Sequence, residues 1–409
     1  MANFDLTRRL ATEEGGKIIF LVMDGLGGLP LQADGQTELE AATTPNLDRL
    51  AREGSTGLSI PIARGIESGS GPGHLALFGY DPLFYEIGRG ALEAAGIGLL
   101  LEPGEVAARG NFCTVDENGI ITDRRAGRIA TEKGEVACAT LQEIELPGVE
   151  LIVREVKEHR FALIMKGKGL NARLLDTDPG ETGVPPLKAR PEPEAADDPA
   201  AKHTADLVNQ FLAAAREKLA GHHPANMVNL RGFAHDPALP KFKDVYKLKA
   251  ACIAVYPMYK GVSRLVGMDI IETTAHDEPL DEFERAIAIY DDYDFFFIHI
   301  KYTDSRGEDG NFDAKVAVIE QVDAALPALM DLSPDVMIVT GDHSTPAKLK
   351  SHSFHPVPTL IWAPATHMRD SVTGFGERAC MTGALGQFPA VDLMQLVLGH
   401  ANRLKRYGA

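Results

Sequence analysis

Cysteine is scarce: Cys113, Cys138, Cys252 and Cys380 stand too far apart for a CxxC pair or a disulfide scaffold. They read as reduced thiols, mostly buried. No apolar stretch follows the charges of MANFDLTRRLATEEGG, so the start lacks the pattern of a secretory signal. No later run approaches the roughly 18–20 apolar residues of a transmembrane helix. A soluble protein of the cytoplasm, away from membranes, is the expectation. Basic residues are short as well, with 41 Lys and Arg against 58 Asp and Glu and a net charge of −17. That balance argues against nonspecific nucleic-acid or anionic-membrane partners. An acidic chain that handles an anion must gather its cations locally. No GxxxxGK[ST] phosphate loop and no internal repeat occurs.

What the chain does carry is length enough for two domains, 409 residues with 44% apolar. It also carries three apolar runs that stop on carboxylates. VMIVTGDHSTP (336–346) ends its run on Asp342 and His343, and KIIFLVM (17–23) ends on Asp24. FFFIHIK (295–301) leads through Tyr302 and Thr303 to Asp304. Ligands of open α/β sheets bind beyond the carboxyl ends of the strands, so residues far apart in sequence can converge on one crevice. Clustered carboxylate and imidazole there imply a divalent metal. Any one of these aspartates reads as well as a helix N-cap or turn former. Three together, one followed by His, favour a site.

The pattern also divides the chain. Strand 17–23, the Gly-rich turn 25–28 and the helical segment 43–54, with Pro45 at its first turn and Gly54 as its stop, make a βα unit. Near Gly110 the alternation gives way to two short strands about Glu117-Asn118-Gly119. Further strands are predicted at 149–156 and 160–167, an exposed loop at 176–200 and a helix at 202–221. In that loop Asp176 and Asp178 read as turn formers. From 247 onward the α/β alternation resumes and runs to a helix at about 391–404. The expected organisation is a discontinuous core, 1–110 plus 248–409, with a smaller α+β domain, 111–247, inserted in it.

The candidate nucleophile is Ser70 in Gly69-Ser70-Gly71-Pro72-Gly73-His74, a glycine-rich segment that lets backbone approach a bound anion. Taken alone it reads as a flexible loop. Its spacing is not the GxSxG of a nucleophile elbow, and a serine without an evident base can be activated by metal. His352 and His355 in SHSFHPVPTLIW follow Asp342 and His343 closely, which favours one of them as a ligand. Arg124, Arg125 and Arg128 supply a local cation cluster suited to phosphate or carboxylate oxygens.

Together Asp24, Ser70-x-x-x-His74, Thr303-Asp304 with Glu308, Gly341-Asp342-His343-Ser344 and His352 ahead of Pro356-Val-Pro resemble the alkaline phosphatase superfamily. More closely, the chain resembles the archaeal-type, cofactor-independent phosphoglycerate mutases along nearly its whole length. LALFGYDP (75–82), GRGALEAAGIG (88–98), DRRAGR (123–128), DTDP (176–179) and KGVSRLVGMD (260–269) add to the likeness. The resemblance implies a three-layer, mostly parallel α/β core with an inserted α+β lid that binds substrate. It implies two metal sites, one of Asp304, Glu308 and His352, the other of Asp24, Ser70, Asp342 and His343. His355 falls where no ligand is expected. Many relatives carry His where this chain has Glu308, and carboxylate in place of imidazole shifts the preference to Mn²⁺ or Mg²⁺ over Zn²⁺.

The implied reaction interconverts 3-phosphoglycerate and 2-phosphoglycerate through a phosphoserine at Ser70, with no 2,3-bisphosphoglycerate and no nucleotide. Arg124, Arg125, Arg128, Arg231, Lys260 and His74 are then the residues expected to meet this small phosphorylated substrate. A sibling phosphatase, a homoserine-kinase-like phosphotransferase and a silent binding protein are the competing readings. The sequence leaves oligomeric state open and is compatible with a homo-oligomer.

Overall fold

Six consecutive apolar residues, Ile18–Met23, are all buried in the computed structural model, which describes residues 4–273 and 279–408. Burial on both faces is what a central parallel strand requires. This strand is β1, and β2 (Ser55–Ile60) follows it. Next come β3 (Val106–Val115), β4 (Ile121–Asp123), β5 (Val149–Lys157), β6 (Arg160–Gly167) and β7 (Met227–Ala234). The chain continues with β8 (Ala250–Ile253), β9 (Asp269–Ile271), β10 (Phe295–Ile300), β11 (Val336–Thr340), β12 (Val357–Trp362) and β13 (Gly386–Pro389).

Two units result, residues 1–86 with 239–409, and residues 87–238. The first holds an eight-stranded sheet in the order β13-β2-β12-β11-β1-β10-β8-β9. Only β12 runs antiparallel to its neighbours; the other pairings are parallel. This is the mostly parallel α/β core expected from strands that end on aspartates. Alternate residues serve opposite faces, as the two-residue period of a strand demands. Ile19, Leu21, Phe296, Ile298, Met337 and Val339 pack with Leu47, Leu50, Phe283, Ile319, Val322 and Leu326 from helices Pro45–Glu53, Pro279–Ala288 and Phe312–Met330. On the other face Phe20 and Phe297 meet a ring cluster that includes Phe295, Phe242 and Phe78. The sheet is therefore the middle of three layers, and β11-β1-β10, the strands that end on the candidate ligands, lie side by side within it.

The second unit is antiparallel: β4-β3-β6-β5, with β7 against β3. Helix Pro199–Lys218 covers it. Asp198 caps that helix by accepting from Ala200 N at 2.7 Å and Ala201 N at 3.1 Å, and Pro199 opens its first turn. Ala201, Ala205, Val208, Phe211, Leu212 and Ala215 recur at helical spacing on its buried face and join Phe112 and Phe161 in one core. The junctions fall at 86/87 and 238/239, not at 110/111 and 247/248. Helix Arg89–Gly96 sets the first of these, because its Ala91 and Ala94 pack on Ala107, Ala162 and Ile164. The change of pattern near Gly110 lies inside β3. No helix among the described residues is long and apolar enough to cross a membrane.

Candidate active site

β1 sets the first candidate ligand. Its register places Met23 opposite Ile300 and Val22 opposite Thr340, so Asp24 leaves the sheet between the ends of β10 and β11. Gly25 turns the chain there at φ +61°, a backbone shape that glycine adopts without strain. Its N–H donates to Asp342 Oδ1 at 3.1 Å. Asp24, Asp304, Asp342 and His343 are all buried.

Ser70 opens a helix, Ser70–Leu77, where the sequence read a flexible loop. Pro72 suits its first turn, and Gly73 lets the helix approach closely, since a Cβ there would lie 2.4 Å from Asp342 O. Ser70 Oγ is thereby held 3.0 Å from His343 Nε2. His343 Nε2 also lies 3.4 Å from Asp24 Oδ1 and 3.2 Å from Asp342 Oδ2.

Hydrogen bonding fixes which nitrogen of His343 carries the proton. Thr345 Oγ1 donates to Asp304 Oδ1 at 2.7 Å, so it accepts from His343 Nδ1 at 3.0 Å. The Nε2 lone pair then faces the carboxylates. His352 is set likewise, its Nδ1 on Ser68 O at 2.8 Å and its Nε2 toward Asp304 Oδ1 at 3.6 Å. The two imidazoles stack with centroids 3.7 Å apart.

Asp24 Oδ1 and Asp342 Oδ2 are buried without a hydrogen-bond partner among the described residues. Buried carboxylate oxygens facing an imidazole lone pair are unfavourable by themselves. A divalent cation among them would satisfy all three, so the residues fit a metal. The ligand atoms fall into two overlapping groups, Asp24 with Asp342 and His343, and Asp304 with His343 and His352, each within 4.8 Å. His343 belongs to both. Glu308, placed by resemblance with Asp304 and His352, stays at the edge. Its Oε1 is 3.9 Å from His352 Nε2 and its side chain is 55% exposed.

Lys301, which the sequence reading left without a role, bridges the groups, with Nζ 3.0 Å from Asp24 Oδ2 and 2.5 Å from Asp304 Oδ2. Its signal was its place, the last residue of the run into Asp304. Burial acts to raise the Asp24 carboxyl, but the Lys301 ammonium holds it well below the usual range. Lys301 is held up in turn by Asp24 and Asp304 against its own burial. Tyr259 donates to Asp24 Oδ2, and its ring stacks on His299 at 3.7 Å. Burial drives Tyr259 up and His299 down, so both stay neutral.

His74 does not serve as a substrate-facing group. It is fully buried, with Nδ1 2.7 Å from Ser70 O and 3.2 Å from Asp342 Oδ2, so it supports the turn at Ser70 from behind. Lys260 lies in the core unit on helix Pro257–Leu265 and pairs with Glu272 Oε2 at 2.9 Å. His355 is held by Ser353 Oγ at 3.0 Å and takes no part in either ligand group.

The second unit has a site of its own, a cavity of about 240 Å³ lined by Arg124, Arg125, Arg128 and Arg231, and also by Arg109, Asn111, His159 and Arg160. Arg109 and Asn111 share one face of β3, and their two-residue spacing was the available signal. Six arginines face two carboxylates in this lining, Glu158 and Asp178. Burial and the neighbouring Arg160 push His159 down to about 4, so it adds no charge at neutral pH. Asp178 is more than a turn former. It accepts from Arg124 Nε at 3.0 Å and Nη2 at 2.9 Å, and Arg231 Nη1 lies 3.5 Å from it.

Comparison with known proteins agrees with this geometry. The family described as 2,3-bisphosphoglycerate-independent phosphoglycerate mutase matches residues 51–226. A probable 2,3-bisphosphoglycerate-independent phosphoglycerate mutase of Thermus thermophilus is 48% identical over 409 residues, covering 99% of both chains. The chain belongs to the 2,3-bisphosphoglycerate-independent phosphoglycerate mutase family. Among solved structures, the cofactor-independent phosphoglycerate mutase of Thermoplasma acidophilum is similar at 32% identity and TM-score 0.73, covering 94% of this chain and 100% of that one. A Pyrococcus horikoshii protein is similar at 30% identity and TM-score 0.80, covering 97% and 100%. Membership of this mutase family implies use of divalent metal, in keeping with the orphaned oxygens of Asp24 and Asp342.

Proposed function

We propose that this chain interconverts 3-phosphoglycerate and 2-phosphoglycerate in the cytoplasm, through a phosphoserine at Ser70 and without 2,3-bisphosphoglycerate or nucleotide. The observation that carries the reading is Ser70 Oγ, 3.0 Å from His343 Nε2 in a buried group with Asp24 and Asp342. Asp24, Ser70, Asp342 and His343 would hold one divalent ion, Mn²⁺ or Mg²⁺, and Asp304 and His352 a second, with Glu308 at its rim. Such ions neutralise charge on phosphoryl oxygens and make a hydroxyl easier to deprotonate.

The residues supply the rest. Ser70 Oγ loses its proton and bonds to phosphorus as the bond from phosphorus to the substrate's 3-oxygen breaks. That oxygen takes up a proton, which leaves glycerate. The 2-hydroxyl of the same glycerate then loses its proton and bonds to phosphorus, and Ser70 Oγ departs and is reprotonated. Lys301 keeps a fixed positive charge against Asp24 and Asp304 throughout. Arg109, Arg124, Arg125, Arg128 and Arg231 in the unit 87–238, with Lys260 in the core, are the cations for the substrate's carboxylate and phosphate.

The test is phosphorus NMR of the protein with 3-phosphoglycerate and Mn²⁺, beside a chelated control. A 2-phosphoglycerate signal that chelation removes is the expected result. Ser70→Ala is expected to abolish turnover and leave metal binding largely intact; mutase activity retained in that variant sinks the mechanism. Release of inorganic phosphate in place of 2-phosphoglycerate would assign a phosphatase instead.

A further inference from the structure

Lys315 is a lysine with no exposure at all, and no step above uses it. It projects from helix Phe312–Met330, whose start is fixed by Asn311 Oδ1 accepting from Ala314 N at 3.1 Å. Its three ammonium protons meet three backbone carbonyls: Gly25 O at 2.8 Å, Gly27 O at 3.1 Å and Thr345 O at 2.9 Å. Gly25 and Gly27 follow Asp24, and Thr345 follows Asp342 and His343. The same carbonyls of Gly25 and Gly27 accept from Thr345 N at 3.2 and 3.0 Å, so ammonium and amide bind the two turns at one point.

The turns are closely packed there. A Cβ on Gly27 would lie 1.8 Å from Ser344 Oγ, and one on Gly307, in the helix that carries Asp304, 2.2 Å from Thr345 O. Two carboxylates flank the arrangement. Glu38 Oε1 accepts from Ala347 N at 2.7 Å, and Glu377 Oε1 from Gly28 N at 2.8 Å. Burial pushes the Lys315 ammonium down, and Glu38 and Glu377 are the charges that draw it back up.

We propose that Lys315 is a positioning residue, an internal cation that clamps the turn bearing Asp24 to the turn bearing Asp342 and His343 and seats Thr345, whose hydroxyl orients His343. An ammonium saturated by three carbonyls stands where a dehydrated monovalent ion could stand, and it cannot diffuse away. Thr345 is the relay: its carbonyl is held by Lys315, while its hydroxyl accepts from His343 Nδ1 and donates to Asp304. The inference rests on the reading of the site as a metal site, and its test separates the two.

Mn²⁺ is titrated into the metal-stripped full chain without substrate and followed by electron paramagnetic resonance, for the unsubstituted protein and for Lys315→Met. Loss of a direct partner of a ligand typically weakens metal binding about ten- to a hundredfold, and for Lys315, which acts through Thr345, the lower end, about tenfold, applies. That loss, with an altered bound-Mn²⁺ spectrum, is the expected result. With Mn²⁺ then saturating, kcat should fall while KM for 3-phosphoglycerate stays within about twofold, since the arginine cavity does not depend on Lys315. A merely structural lysine would lower the melting temperature and leave affinity and spectrum unchanged well below it; that outcome overturns the inference alone. No Mn²⁺ binding by the unsubstituted chain overturns the metal reading and the inference with it. Should Lys315→Met fail to fold, Thr345→Val leaves the three carbonyls in place and removes the relay. It is expected to weaken Mn²⁺ by about tenfold or more, and unchanged affinity overturns the inference.

Discussion

Replacing Asp178 by Asn in the arginine cavity tests the electrostatics of the second unit without touching the candidate metal ligands. Asp178 Oδ1 accepts from Arg124 Nε at 3.0 Å and from Gly180 N at 2.9 Å, and an Asn oxygen can keep both bonds. Oδ2 accepts from Arg124 Nη2 at 2.9 Å and faces Arg231 Nη1 at 3.5 Å, and an amide NH₂ there would point donors at donors. One charge-assisted bond, worth about 1.5–3 kcal/mol, is lost. Removing one partner of a fully buried pair costs about 3–5 kcal/mol. Here the Asp178 side chain is 2% exposed, but those of Arg124 and Arg231 are 31% and 28%, so water recovers part of the loss. The expected destabilisation is about 2 kcal/mol, or about 4–8 °C in melting temperature for a unit the size of residues 87–238. The sign with pH follows from the carboxyl. Burial acts to raise it, yet Arg124 and Gly180 N hold it below its ordinary value. Its contribution is therefore present above the unfolded carboxyl value of about 4 and is lost as pH falls through the lower folded value. Scanning calorimetry of both proteins at pH 7 and in acid is the assay. A difference under about 1 °C at pH 7 refutes the argument, as does one that fails to shrink in acid.

Glu308→His gives the Asp304 and His352 group an imidazole in place of an exposed carboxylate. It should raise Zn²⁺ preference over Mn²⁺ on the order of tenfold, measured by competition binding, and no change would show that the residue stays outside the site. Gly27→Ala forces a methyl against Ser344 Oγ, which cannot swing aside freely because it donates to His355 O at 3.0 Å. A loss of about 1–3 kcal/mol is expected in urea titration. Gly399→Ala, exposed in helix Leu393–His400 with nothing within 4 Å, should instead gain up to about 1 kcal/mol in the same titration.

The candidate ligands could be singled out in the sequence because strand chemistry is one-dimensional. A run that must be buried ends near its first charges, so Asp24 and Asp342 announced themselves just past β1 and β11, and Asp304 in the first turn of the helix after β10. Their strands then proved to be neighbours. Ser70 was found by its glycines, but those glycines also suggested a loop. The helix that replaced it depends on Gly73 packing against Asp342, a residue far along the chain.

What failed to show is of one kind, a charged group whose partners are distant. Lys315 sits 290 residues from Gly25, and within DAKVAVIEQVD it reads as an ordinary helical lysine. Asp178 sits in DTDPGETG, where turn chemistry is a sufficient reading and a correct one for Gly180 N, while Arg124 is 54 residues away. Arg109 lies in a strand whose other residues are nearly all core. Local pattern discloses a residue whose exposure its neighbours dictate, or a charge that stops a buried strand. It does not disclose a buried charge inside a helix, strand or turn, because such a charge is tolerated only when tertiary structure brings it carbonyls or counter-ions. A lysine or arginine found fully buried therefore points to contacts that the sequence could not name, and at Lys315 those contacts run directly to the turns that carry the candidate ligands.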